Sequence, residues 1–191
     1  MKRILSLMLV ATAVLMVSAL PASATLVANG GFETGNLNGW TQSGNTAFTS
    51  VNGLYPHSGT SAAQLGPMGT DGFLSQVLAT TPGQSYTITF WLKNGQTLSD
   101  VNLPNDFHLS WGGSEIFSLV NAPLFGYTQY SFVEQATSSS TTLTVGGFRN
   151  DPTFFYLDDV DVSPVPIPGA VWLFGSGLAG LVGIGRWRKR K

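Results

Sequence analysis

The chain has 191 residues with 9 Lys and Arg against 10 Asp and Glu, a formal net charge of −1 that hides a strict segregation. Seven of the bases lie in the first three and last six residues. All ten acids lie within 25–163 beside only Lys93 and Arg149, which leaves that stretch at −8. Such a field repels nucleic acid and anionic lipid, and the absence of cysteine excludes disulfides and thiol chemistry.

At the N-terminus Lys2 and Arg3 precede an apolar run over 4–20 and then Ala22-Ser23-Ala24. This is the pattern of a signal peptide over 1–24, cut between Ala24 and Thr25 after export by the Sec machinery. The remaining 25–163 is long enough for one domain with a core of its own. It is rich in Gly, Ser, Thr, Asn and aromatic residues and has no stretch with helical period. Short period-two runs separated by Gly, Pro and Asn predict strands over 46–51, 61–65, 73–78, 86–92, 106–111, 115–120, 127–134, 141–148 and 154–162. The clearest follows the turn Pro82-Gly83: Tyr86, Ile88, Phe90 and Leu92 should face one side, and Thr87, Thr89 and Trp91 the other. Strands at this spacing imply an all-β antiparallel sandwich, a jelly roll.

Alternation along the last strand puts Phe154, Tyr156, Asp158, Val160 and Val162 on one face, expected to be the buried one. Asp158 would then be a carboxylate at the edge of a core, which costs several kcal/mol unless compensated. A cation could compensate it, with oxygen-only ligands favouring Ca²⁺ over Zn²⁺. The alternative is solvation at the strand end, or acceptance of backbone N–H bonds. Trp91, near Asn94 and Gln96, and Tyr127 with Gln129 are candidates to stack on sugar rings and read hydroxyls; the alternative for each ring is a place in the core. Catalysis is not expected. His57 and His108 lie in no recognisable elbow or zinc spacing, and Asp158 and Asp159 should point to opposite faces. Nothing in the sequence pairs Glu115 with Glu134.

The tail begins with a proline-stiffened segment over 164–168, containing Val165, Pro166 and Pro168, and continues with an apolar, uncharged run over 169–185. Counted from Ile167, the run of about 19 residues spans roughly 28 Å as a helix, enough for a bilayer core. The basic end over 186–191 should stay cytoplasmic. Gly175, Gly177, Gly180, Gly183 and Gly185 weaken the helix, which suits a transient anchor as well as a permanent one.

Val-Pro-Ile-Pro followed by G-A-V-W-L-F-G-S-G and a basic end closely resembles the PEP-CTERM sorting signal of bacterial envelope proteins, with Ile167 where that signal usually has Glu. The resemblance implies cleavage near the prolines by an exosortase, and passage through the inner membrane to the cell surface or beyond. A second resemblance rests on Asn29-Gly30-Gly31-Phe32-Glu33, on Ser58-Gly59-Thr60-Ser61-Ala62, on 86–91 and on Tyr156-Leu157-Asp158-Asp159-Val160. Together these are similar to galactose-binding-like jelly rolls, a group with many carbohydrate-binding modules. That resemblance implies a structural Ca²⁺ held by the Glu33 and Asp158 side chains, with carbonyls near Gly31 and Ser58. The expected protein is an exported, exosortase-sorted, non-catalytic surface or matrix protein of the biofilm kind, with extracellular polysaccharide as a partner. Two alternatives stand beside it: a self-associating adhesive protein without a glycan, and a permanently anchored envelope protein.

Overall fold

The computed structural model describes residues 24–95, 104–149 and 154–166, and its contacts group Ala24–Val165 as one unit. Of the signal peptide expected over 1–24, residues 1–23 lie outside the described residues, as do Pro168 of the expected sorting motif, the apolar run and the basic end. No helix among the described residues is long and apolar enough to cross a membrane.

Period-two sequence becomes strand almost throughout. Ten strands are present among the described residues: β1 Thr41–Gly44, β2 Ser50–Asn52, β3 Ala62–Leu65, β4 Gly72–Ala79, β5 Ser85–Asn94, β6 Asn105–Trp111, β7 Ser114–Val120, β8 Phe125–Gln135, β9 Ser140–Arg149 and β10 Phe155–Pro164. They form two five-stranded antiparallel sheets, sheet A in the order β1-β4-β9-β6-β7 and sheet B in the order β2-β3-β10-β5-β8. In β5 the alternation holds as expected: Tyr86, Ile88, Phe90 and Leu92 are buried while Thr87, Thr89 and Trp91 keep part of their surface. They meet Leu74 and Leu78 of β4, Phe107, Leu109 and Trp111 of β6, and Leu143 and Val145 of β9 in one core. Each such side chain contributes roughly 1.5–3 kcal/mol on burial. Gly112 and Gly113, both with positive φ, form the two-residue turn between the paired Trp111 and Ser114.

Three sequence expectations change. The strand expected over 46–51 is mostly turn: Asn45 Oδ1 accepts the Ala47 N–H at 3.0 Å, an Asx turn that delays β2 to Ser50. The strand β1 just before it carries no alternation in burial, all four residues being exposed, and so left no pattern to read. The third change is in β10. Phe155 and Leu157 enter the core, and then so do Val160 and Val162. A bulge between Asp158 and Asp161, with Asp159 at φ 49°, inserts a residue and shifts the phase. Tyr156 and Asp158 therefore belong to the outer face of sheet B and not to the core face. Strand β10 also runs one residue past the expected domain end, and the Val165 N–H still bonds Ser85 O at 2.8 Å.

Candidate functional site

The two sheets have very different outer faces. On sheet B the register sets Gln64, Tyr156 and Lys93 in one row and Asp158, Trp91 and Gln129 in the next. Residues 53–61 lie across this face. The His57 ring stacks on Trp91 with centroids 3.8 Å apart and planes 16° from parallel, and it meets Tyr127 edge-on at 5.1 Å. Tyr55 packs edge-on against Tyr156 at 5.0 Å, and Lys93 Nζ stands 4.5 Å from the Tyr55 ring centre. The Tyr127 hydroxyl donates to Tyr55 O at 2.5 Å. Tyr156 and Asp158 are consequently buried although they point out of the sandwich.

Three carboxylates hold this cover. Asp158 Oδ2 accepts the N–H groups of His57 (2.8 Å) and Ser58 (3.2 Å), and its Oδ1 accepts that of Asp159 (2.8 Å). Asp159 Oδ2 lies 2.7 Å from His57 Nδ1, and Asp159 Oδ1 accepts from Ser58 Oγ at 2.7 Å. Both acids thus serve one loop from one side, contrary to the opposite-face expectation, because the bulge turns Asp159. Glu33 takes the other half: it accepts the N–H groups of Thr60 (2.9 Å) and Ser61 (3.0 Å) and the Thr60 hydroxyl (2.8 Å). Between the two clamps Gly59 sits at φ 59°, and a Cβ there would come 2.4 Å from Glu33 Oε1. The serine–glycine motif is thereby explained: only glycine admits both that backbone and that carboxylate. Gly30 is fixed likewise, since a Cβ on it would lie 2.0 Å from Val160 O. Phe32 anchors the segment in the core, stacked on Trp40 at 5.7 Å.

Burial raises the Asp158 carboxyl above its ordinary range, and the N–H groups of Ser58, Asp159 and His57 pull it back. Glu33 lies below its ordinary range, held there by the Thr60 N–H, the Thr60 hydroxyl and the Ser61 N–H. The four residues expected around Ca²⁺ do converge: a Cβ on Gly31 would lie 3.8 Å from Glu33 Cγ and 3.9 Å from Asp158 Oδ1, and Ser58 bonds both Asp158 and Asp159. Their carboxylates face N–H and O–H donors, which supply the compensation that a buried Asp158 requires. As arranged, they present donors to the carboxylates where a cation would need oxygen ligands. Tyr127 and Gln129 share one face, and Trp91 lies on it too, but His57 occupies the Trp91 ring face and Tyr55 O accepts the Tyr127 hydroxyl. That platform is covered.

The outer face of sheet A is different. Its register places Ser43, Phe73, Gly146, His108 and Ser118 in one row across all five strands, and Thr41, Ser75, Thr144, Ser110 and Glu115 in the next. Phe73, Ser75, Thr144, His108 and Ser110 all keep part of their surface. The central strand contributes no side chain at Gly146, where a Cβ would lie 2.1 Å from Gly72 O. Gly146, itself buried, thus stands in register between Phe73 on one side and His108 on the other. The polar end of this face gathers Asp71, Asp106 and His108. His108 Nδ1 lies 2.6 Å from Glu115 Oε2. Burial pulls the His108 imidazole down, but Glu115 and Asp106 outweigh it and its pKa is raised. This face was not legible in the sequence because its members, mostly small polar residues, are scattered over five strands, and only strand order joins them. Glu115 and Glu134 lie on strands of different sheets, so they form no pair.

Residues 24–103 match a family model described as a carbohydrate binding domain. No curated protein matches the chain. Among solved structures, the fold is similar to that of TmCBM61 in complex with β-1,4-galactotriose, at 21% identity over 75% of this chain and 100% of that one, TM-score 0.58. It is similar to a family 16 carbohydrate binding module (18% identity, 72% and 98%, TM-score 0.54). It is also similar to the CBM22-1 xylan-binding domain of Paenibacillus barcinonensis Xyn10C (18% identity, 76% and 97%, TM-score 0.52). Residues 24–103 thus resemble a carbohydrate binding domain, and the chain has the jelly-roll fold of these modules.

Proposed function

We propose that this domain binds polysaccharide without acting on it, and that the sugar lies along the outer face of sheet A. The observation that carries the reading is the row Ser43, Phe73, Gly146, His108 and Ser118, in which a part-exposed aromatic ring and an imidazole flank a position without a side chain. A sugar ring can lay its C–H face on Phe73 while Ser75, Thr144 and Ser110 hydrogen-bond its hydroxyls. The match of residues 24–103 to a carbohydrate binding domain supports the ligand class. Neutral β-1,4-linked chains are the natural first ligands, since the acidic face repels anionic ones. A glycan array on the purified protein, repeated with Phe73→Ala, tests this. Binding that Phe73→Ala weakens at least tenfold supports it, and binding unchanged by that substitution removes the proposed face.

The ends of the chain supply the cellular setting. We propose export by the Sec machinery, then exosortase cleavage near Val165, Pro166 and Pro168, and display at the envelope or in the extracellular matrix. Mass spectrometry of the mature protein would find the basic C-terminus gone; its retention would favour the permanent anchor. The calcium ion is a separate proposal: Gly31 and residues near Ser58 would turn carbonyls toward it beside Glu33 and Asp158, displacing N–H donors. A melting temperature raised by Ca²⁺ in the parent and unmoved in Asp158→Ala supports it, and a parent indifferent to Ca²⁺ rejects it.

A further inference from the structure

At the polar end of sheet A, three potential ligand atoms of two chemical kinds converge. Asp106 and His108 lie two apart on β6 and so share the outer face. Asp71 stands at the start of β4, held by the bond from the Asn45 N–H to its carbonyl at 2.8 Å. One oxygen of each carboxylate and one imidazole nitrogen lie within 4.8 Å of one another.

The hydrogen bonds around these atoms sort them into ligands and supports. Asp106 Oδ1 is taken by the Phe148 N–H at 3.0 Å, which leaves Oδ2 directed at His108. His108 Nδ1 lies 2.6 Å from Glu115 Oε2, and the opposite ring nitrogen, Nε2, faces Asp106 Oδ2. A carboxylate behind a histidine in this way is the usual outer partner of a metal-bound imidazole. The separation of His108 Nε2 from Asp106 Oδ2 is 3.5 Å, long for a hydrogen bond between charged groups. It is close to the edge, about 3.4 Å, of a tetrahedron with metal–ligand bonds of about 2.0–2.1 Å.

We propose that Asp71, Asp106 and the Nε2 atom of His108 form a zinc site, with Glu115 as the positioning residue behind the imidazole. One nitrogen and two oxygen donors suit zinc better than calcium, which takes oxygen alone. Three protein ligands leave a fourth position open toward solvent on the outer face of sheet A. The site is distinct from the Glu33 and Asp158 cluster on sheet B, and it stands whether or not the face takes a glycan.

The test is Zn²⁺ titration of the purified, EDTA-treated full chain by calorimetry, with proton–nitrogen NMR of the imidazoles. The chain has only two histidines, His57 and His108, so the resonances are readily assigned. The expected result is one Zn²⁺ per chain, a shift of His108 Nε2 with Nδ1 still protonated, and an unmoved His57. Affinity falls at least a hundredfold in His108→Ala and Asp106→Asn and roughly tenfold in Glu115→Gln, and it is unchanged in His57→Ala. Zinc also raises the melting temperature of the parent and not of His108→Ala, which reads the site independently of any folding defect. No binding at millimolar Zn²⁺ would overturn the proposal and leave His108 as an ion-pair bridge. Binding that survives His108→Ala, or that moves His57, would overturn it equally.

Discussion

The outer face of sheet B carries the residues that looked functional in sequence and is covered by residues 53–61, while the outer face of sheet A looked unremarkable and keeps its side chains partly exposed. Sheet B carries the conspicuous rings, Trp91, Tyr127 and Tyr156, and the conspicuous acids, Glu33 and Asp158. All of them serve to fasten residues 53–61 across the sheet. Sheet A presents serines, threonines, one phenylalanine and a glycine in register. An aromatic outside the core is therefore informative only together with what lies on it.

Substitutions should separate the two faces by what they damage. Asp158→Ala removes the acceptor of three N–H groups and should cost roughly 3 kcal/mol in chemical denaturation; glycan affinity per folded molecule should not change. Gly59→Ala places a Cβ against Glu33 at positive φ and should cost roughly 2 kcal/mol in the same measurement. On the other face, Phe73→Ala should weaken glycan binding about tenfold, equivalent to about 1.4 kcal/mol, with less than about 1 kcal/mol lost in stability. Trp91→Ala should do the reverse, lowering stability and leaving affinity within about twofold of the parent. A loss of affinity in Trp91→Ala with none in Phe73→Ala would exchange the roles of the two faces.

The smallest effect concerns acid. The Glu33 carboxyl is lowered by Thr60 and Ser61, so the folded state keeps it ionised to lower pH than the unfolded chain does. Its contribution is then complete above the unfolded carboxyl's pKa, and it fades as pH falls through the folded one. Melting curves of Glu33→Gln between pH 6 and pH 3 should show a shallower acid decline than the parent. An identical slope would mean that the clamp on Thr60 and Ser61 contributes nothing.

Much of the fold could be read because burial is one-sided: β5 alternates cleanly, as do the runs that become β4 and β6, and β9 as far as Val145. Where a local device broke the period, reading failed. The Asn45 turn replaced most of a predicted strand, and the Asp159 bulge moved Tyr156 and Asp158 to the other face. The convergence of Gly31, Glu33, Ser58 and Asp158 was expected only from the resemblance to galactose-binding-like jelly rolls. The partner of Asp158 was not legible, because donation by the amides of His57 and Ser58 depends on a loop path that no periodicity encodes. The row on sheet A was hidden for a simpler reason. Strand order places β9 between β4 and β6, and that order alone makes neighbours of Phe73, Gly146 and His108.

Backbone amide NMR during titration with β-1,4-linked oligosaccharides asks the central question most directly. The account predicts shifts confined to Phe73, Ser75, Thr144, His108 and their neighbours on sheet A, with Trp91, Tyr127 and residues 57–61 unmoved. Shifts centred on Trp91 and Tyr127, with sheet A silent, would contradict it.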